Sequence, residues 1–189
     1  MPDRWDVSRN PLINVVTTFI VRKHATEGVQ VLTQTRNVLN KDYDPLYHGT
    51  EEAAGETFEP DNDRTVFDCL LRACTEELGA PNFQYERMIG GTIQVQSSRP
   101  EDEVEVVEPY LTTHMLRGSQ RWLSMNFVFL VAPDFEPKIS DDGEVSGFTW
   151  WSPHDLMAAL EQNPKRFCGL DTPAFKKLAE DLIQWRLNV

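Results

Sequence analysis

Apolar and polar positions alternate along the chain in patterns that predict its elements. Leu12 to Arg22 (LINVVTTFIVR) is apolar and β-branched on both faces, which suits a strand buried inside a sheet. Gly28 breaks the run, and Val29 to Thr35 alternates as the second arm of a hairpin. Asn37 to Pro60 is polar and rich in Gly, Pro and acids, and reads as a long loop. From Arg64 to Leu78 the pattern turns helical. Phe67, Leu71, Cys74 and Leu78 form one stripe with Leu70 at its edge, Asp61 or Asp63 is placed to cap the start, and Gly79 is placed to end the helix. Met88–Gln96, Val104–Val107, Ser124–Val131 and Phe148–Trp151 read as strands, and the third is apolar enough to be central. Ser152-Pro153 opens a helix, and Thr172-Pro173 opens another whose stripe is Phe175, Leu178, Leu182 and Trp185. The sum is an α/β (α+β) fold, a mixed sheet with helices packed on it, in a single domain spanning 1–189. Residues 1–11 form an N-terminal extension, 37–63 a long loop with an insertion, and 152–187 the C-terminal helices.

Composition narrows the possible functions. The chain has 189 residues, 40% hydrophobic and 25% charged, within the globular range. Eighteen Lys plus Arg against thirty Asp plus Glu leave a net charge of −12, the wrong sign for binding nucleic acid through its phosphates. A phosphorylated small molecule would instead need a divalent cation held by carboxylates. No run approaches the ~20 apolar residues of a membrane span, and the start lacks the pattern of a secretory signal. Cys69, Cys74 and Cys168 are an odd count without a Cys-x-x-Cys, so the chain reads as a reduced, soluble, cytoplasmic protein.

Candidate chemistry gathers around the first helix. On a wheel of about 100° per residue the apolar stripe lies near 0–40°, and Glu76 and Glu77 fall at about 180° and 280°, so both acids are expected to project away from the core. Arg72 precedes Glu76 by one turn and can pair with it. Upstream, the acidic loop Gly49–Glu56 ends in Gly55-Glu56. Clustered carboxylates beside a glycine that lets the backbone approach suit a hard cation such as Mg²⁺. Glu-Glu-x-Gly alone is a short motif that by itself reads first as a solvated helix face, and the loop acids change that balance.

Arg72-Ala73-Cys74-Thr75-Glu76-Glu77-Leu78-Gly79-Ala80 and Gly55-Glu56 resemble the two halves of the Nudix hydrolase signature, G-x5-E-x7-R-E-U-x-E-E-x-G-U, where U is a bulky apolar residue. Val29–Arg36 is similar to the family's hairpin arm, and Glu144–Leu156 to its late strand and the turn into a helix. The resemblance spans roughly Leu12 to Leu160. It implies a mixed sheet between helices and a Mg²⁺- or Mn²⁺-dependent hydrolase of a nucleoside diphosphate linked to another moiety, with metal-activated water attacking phosphorus. It also implies Glu56, Glu76 and Glu77 as metal ligands, with Glu76, Glu77 and Arg72 in the catalytic apparatus. Arg36 and Trp151 are candidates for substrate contact.

This chain departs from the signature. Ala73 replaces the Glu that follows the signature Arg, fifteen residues (Thr57 to Leu71) replace the seven between the loop Glu and the Arg, Ala80 replaces the last bulky residue, and Gly49 is one position off. The extra residues, Thr57 to Arg64, are expected to extend the loop. Candidates to replace the missing carboxylate are Cys69, Asp61 or Asp63, and later acids: the group Glu101–Glu108, Asp141, Asp142 and Glu144. Glu144 and the Glu101–Glu108 group are preferred, because a thiol is a poor Mg²⁺ ligand. Scattered basic residues, including Lys41 and Arg99, could touch phosphate. Segment 1–11, with Trp5, offers a place for a second copy to pack as a homodimer. The competing readings are a non-catalytic binding domain on the same fold and an unrelated α/β domain whose Glu76-Glu77 is only surface.

Overall fold

The computed structural model describes residues 12–38, 47–96, 104–117, 120–139 and 143–189. Segment 1–11, Lys41, Arg99, Glu101 to Glu103, Asp141 and Asp142 lie outside the described residues.

β1 (Leu12–His24) is the spine of an eight-stranded mixed sheet. It pairs parallel with β9 (Gln120–Val131) and antiparallel with β2 (Gly28–Arg36), which in turn pairs with β10 (Val145–Trp151). Alternate residues of the spine face opposite layers, as strand geometry requires. Val16 and Ile20 join Leu32, Phe127 and Phe129 beneath α1 (Val66–Glu77). Phe19 and Val21 join Val128 and Leu130 beneath α2 (Pro153–Gln162) and α3 (Thr172–Ile183), which contribute Leu156, Leu160, Phe175 and Leu178. Each such side chain contributes about 1.5–3 kcal/mol when fully buried. The expected mixed sheet between helical layers is therefore the observed architecture.

Several local expectations change. The stretch read as a loop contains β3 (Glu51–Glu52) on β2 and β4 (Ala54–Thr57) on β1. Both strands are too short and polar to show a period. Met88–Gln96 splits into β5 (Arg87–Gly90), on the main sheet, and β6 (Thr92–Gln96), which forms a separate two-stranded sheet with β7 (Val104–Glu108). β8 (Leu111–Arg117), paired with β9, carries no strong sequence signal. Thr65, and not Asp61 or Asp63, caps α1 in a reciprocal box with Asp68. A short 3-10 turn, Pro164–Arg166, joins α2 to α3, and Asp171 takes the N-cap position of α3. Trp185 lies past the end of α3, 84% exposed, and does not continue the buried stripe.

The buried face of α1 is rotated from its expected place. Cys69, Leu70, Ala73, Cys74 and Glu77 are buried, while Phe67 and Leu71 are half-buried. Glu77 thus points inward, against the expectation, because α1 lies across β4 as well as β1. Gly79 ends the helix at φ 57°, and a Cβ there would meet the Lys138 carbonyl oxygen at 2.5 Å. Gly79→Ala is expected to lower stability by about 2 kcal/mol, from left-handed strain plus the clash. An unchanged thermal midpoint would contradict this packing.

Candidate active site

Pairing of β4 with β1 sets Glu56 opposite Val16 and Gly55 opposite Thr17, at the side of the sheet where the last turn of α1 arrives. The Gly55 N–H donates to Glu77 Oε2 at 2.7 Å, and Gln34 Nε2 donates to the same oxygen at 2.8 Å. These two bonds fix the carboxylate in the interior. Glu144 enters just before β10, where its carbonyl accepts from the Asn37 N–H at 2.8 Å. One carboxylate oxygen from each of Glu56, Glu77 and Glu144 lies within 4.8 Å of the other two.

Arg72 organises the flank of this triad. Its guanidinium donates to Glu56 at 3.0 Å, to Asp63 at 2.9 and 3.1 Å, and to the Thr57 carbonyl at 2.7 Å. Between β4 and α1 the chain folds back so that Asp63 lies on this arginine. Glu76 meets only the edge of the guanidinium, at 3.4 Å, and is half exposed. It is not part of the triad, because the rotation that buries Glu77 carries its neighbour outward.

Electrostatics mark the triad as a site for positive charge. Burial, then the neighbouring Glu52 and Glu56 charges, raise the Glu77 carboxyl well above the ordinary range, with the Gly55 and Gln34 bonds opposing. Glu56 is pushed up to about 7, chiefly by burial, with Arg72 pulling the other way. A divalent ion would reverse both trends by stabilising the anions.

The triad opens into a cavity of about 540 Å³ whose walls include Arg36, Tyr47, Glu52, Met115, Arg117 and Trp122. Arg36 lines the cavity, and its Nε also donates to Glu52. Trp151 does not line the cavity. Its indole N–H donates to Glu51 at 2.8 Å and to Thr33 at 3.0 Å, and Arg166 stacks over the ring at 4.6 Å, so it braces the wall from behind. Ala73, fully buried, contributes no donor. Of the proposed replacements among the described residues, only Glu144 joins the triad. Asp63 is held by Arg72, the Cys69 thiol lies 3.7 Å from the Glu56 carbonyl, and Glu105 caps α1 from the far end by accepting from the Val66 N–H at 2.7 Å. Gln34 and Glu52 are neighbours of the site that the sequence reading missed. Period-2 placement of Gln34 beside Leu32 on one face of β2 was the available signal.

A family model described as the NUDIX domain matches residues 14–168. The chain belongs to the Nudix family. Its fold is similar to the Nudix domain of Shewanella oneidensis NrtR complexed with ADP ribose, at 12% identity and a TM-score of 0.60, covering 94% of this chain and 92% of that one. It is also similar to the MutT protein of Methanosarcina mazei Go1 (14% identity, 91% and 96% covered, TM-score 0.58). A C. elegans Ap4A hydrolase binary complex compares equally (14% identity, 91% and 98% covered, TM-score 0.56). No curated protein matches by sequence. Within this Nudix domain the box helix is α1, and the described residues hold no helix long and apolar enough to cross a membrane.

Proposed function

We propose that this Nudix domain is a divalent-metal-dependent hydrolase that cleaves the diphosphate of a nucleoside diphosphate linked to another moiety. The convergence of Glu56, Glu77 and Glu144 on one small volume carries this reading. Their donor atoms are all carboxylate oxygens, which fits a hard cation, Mg²⁺ or Mn²⁺. These three residues would hold the ion. Once bound, it would supply charge neutralisation for the diphosphate and a more acidic water. The chain's own contribution is positional. Gly55 and Gln34 fix Glu77, Arg72 fixes Glu56, and Glu144 takes the place left by Ala73 as third ligand or base. Arg36 and Arg117 line the same cavity on the side where substrate phosphates would lie. ADP ribose, bound in one similar structure, and Ap4A, for which another is named a hydrolase, are both nucleotides with linked phosphates, and they guide the choice of substrate. A cytoplasmic setting belongs to this reading, since the three cysteines are free and buried.

Ala73 supports a second reading, a Nudix domain that binds such a nucleotide without turning it over. Incubation with ADP ribose and diadenosine polyphosphates in Mg²⁺ or Mn²⁺ separates the two. Product release that stops on chelation is expected. Calorimetric binding without product would favour the binding domain, and Ala73→Glu would then be the variant to test for restored turnover. Neither binding nor turnover would sink both readings.

A further inference from the structure

The end of β2 reaches two of the three triad carboxylates. From within the strand, Gln34 Nε2 donates to Glu77 at 2.8 Å. Just past the strand, Asn37 meets the corner that carries Glu144. Its backbone N–H donates to the Glu144 carbonyl at 2.8 Å, and its side-chain Nδ2 donates to the Gly143 carbonyl at 2.9 Å. Arg36, between the two, lines the cavity.

Glu144 needs such a clamp because it stands outside the strand ladder. β10 begins at Val145, whose partner across the ladder is Arg36. Immediately before Glu144, Gly143 turns the chain at φ 77°, a region open to glycine without steric cost. The register shifts between Val145 and Gly147, so Ser146 is one extra residue set against β2. Bulges of this kind re-aim side chains beside active sites. Counted without the extra residue, Val145 would stand opposite Asn37; with it, Glu144 does. Turn, bulge and the Asn37 amide thus decide together that a carboxylate, and not an isopropyl group, comes to Glu56 and Glu77. The position left without a donor at Ala73 lies on α1, where the helix backbone itself would fix a ligand. A ligand on a corner has to be fixed from a neighbouring strand.

We propose that Asn37 is a positioning residue: its side-chain amide holds the 143–144 corner so that Glu144 completes the metal site with Glu56 and Glu77. Asn37 is not among the residues lining the cavity, so it acts through Glu144. The proposal rests on the metal site of the hydrolase reading and adds the residue on which its third carboxylate depends.

Calorimetric titration of the full chain with manganese chloride, in the absence of nucleotide, tests it. Asn37→Ala removes the side-chain donor and keeps the backbone N–H. Manganese affinity is expected to fall about 10-fold or more, as for other partners that orient metal ligands. Glu144→Gln should lose at least as much. In the double variant the Asn37→Ala loss should vanish, leaving affinity within about 2-fold of Glu144→Gln alone. A loss unconnected with Glu144 would add to that of Glu144→Gln instead. Unchanged affinity in Asn37→Ala, or losses that add in the double variant, overturn the proposal and leave the hydrolase reading standing. A parent protein that binds no manganese removes that reading and this proposal with it. If Asn37→Ala does not fold, Asn37→Ser enters the same cycle with the same expected outcomes.

Discussion

Glu77→Gln is expected to cost the protein its Mg²⁺ response and at least about 100-fold in hydrolysis, while leaving the metal-free fold as stable as the parent or more so. The amide is nearly isosteric, and its oxygen can still accept the Gly55 N–H that now lies 2.7 Å from Glu77 Oε2. What disappears is a buried negative charge. The folded-state pKa of Glu77 is raised above its unfolded value, and so is that of Glu56, to about 7. For such groups the stability present below the unfolded pKa, near 4.5, is lost as pH rises through the folded pKa. Metal-free parent protein should therefore weaken between about pH 4.5 and 7, and the variant should weaken less over the same window. Added Mg²⁺ should restore the parent above pH 7 and do little for the variant. Denaturation midpoints at pH 5 and pH 8, with and without Mg²⁺, measure all of this. A variant that keeps the Mg²⁺ response would remove Glu77 from the metal site.

The second large effect concerns Arg72. Arg72→Ala is expected to lower stability by about 2–3 kcal/mol, because it strands the side chain of Asp63, 1% exposed, together with Glu56 beside the triad. It also frees the Thr57 carbonyl, and with it the inserted segment. The pH dependence runs opposite to that of Glu77. The guanidinium holds the Asp63 carboxyl below its usual range, so its contribution is present above the unfolded pKa and lost as pH falls through the folded one. The penalty should be full at pH 7 and shrink in acid below about pH 4. Arg72→Lys should recover only part of it, since an ammonium cannot span Asp63 and Glu56 as a fork does. A midpoint unmoved by Arg72→Ala in urea denaturation at pH 7 would mean that the arginine does not hold the insertion.

The local patterns that could be read in advance are those with a clear period and enough length. β1 and β2, the α1 amphipath, and the Ser152-Pro153 start of α2 fall in this class, and Ser152 does accept the Asp155 N–H at 3.1 Å. β3 and β4 do not. Four or fewer polar residues have no measurable alternation, and their pairing with β1 and β2 depends on neighbours distant in sequence. The inward turn of Glu77 was hidden for a related reason. An apolar stripe tells which residues avoid water, but α1 buries a carboxylate because β4 and Gln34 offer it donors.

The chain by itself determined the layered α+β class, the box helix with its acids, and the net acidity of the molecule. These follow from short-range chemistry: periodicity, capping, turn residues and charge. Tertiary structure alone decided that Glu144 and not Glu76 joins Glu56 and Glu77, that Trp151 braces a wall, and that Asn37 meets the corner at Glu144. Those outcomes depend on strand register and on how far α1 is rotated about its axis. Each is set by packing between segments separated by tens of residues, which leaves no mark in local composition.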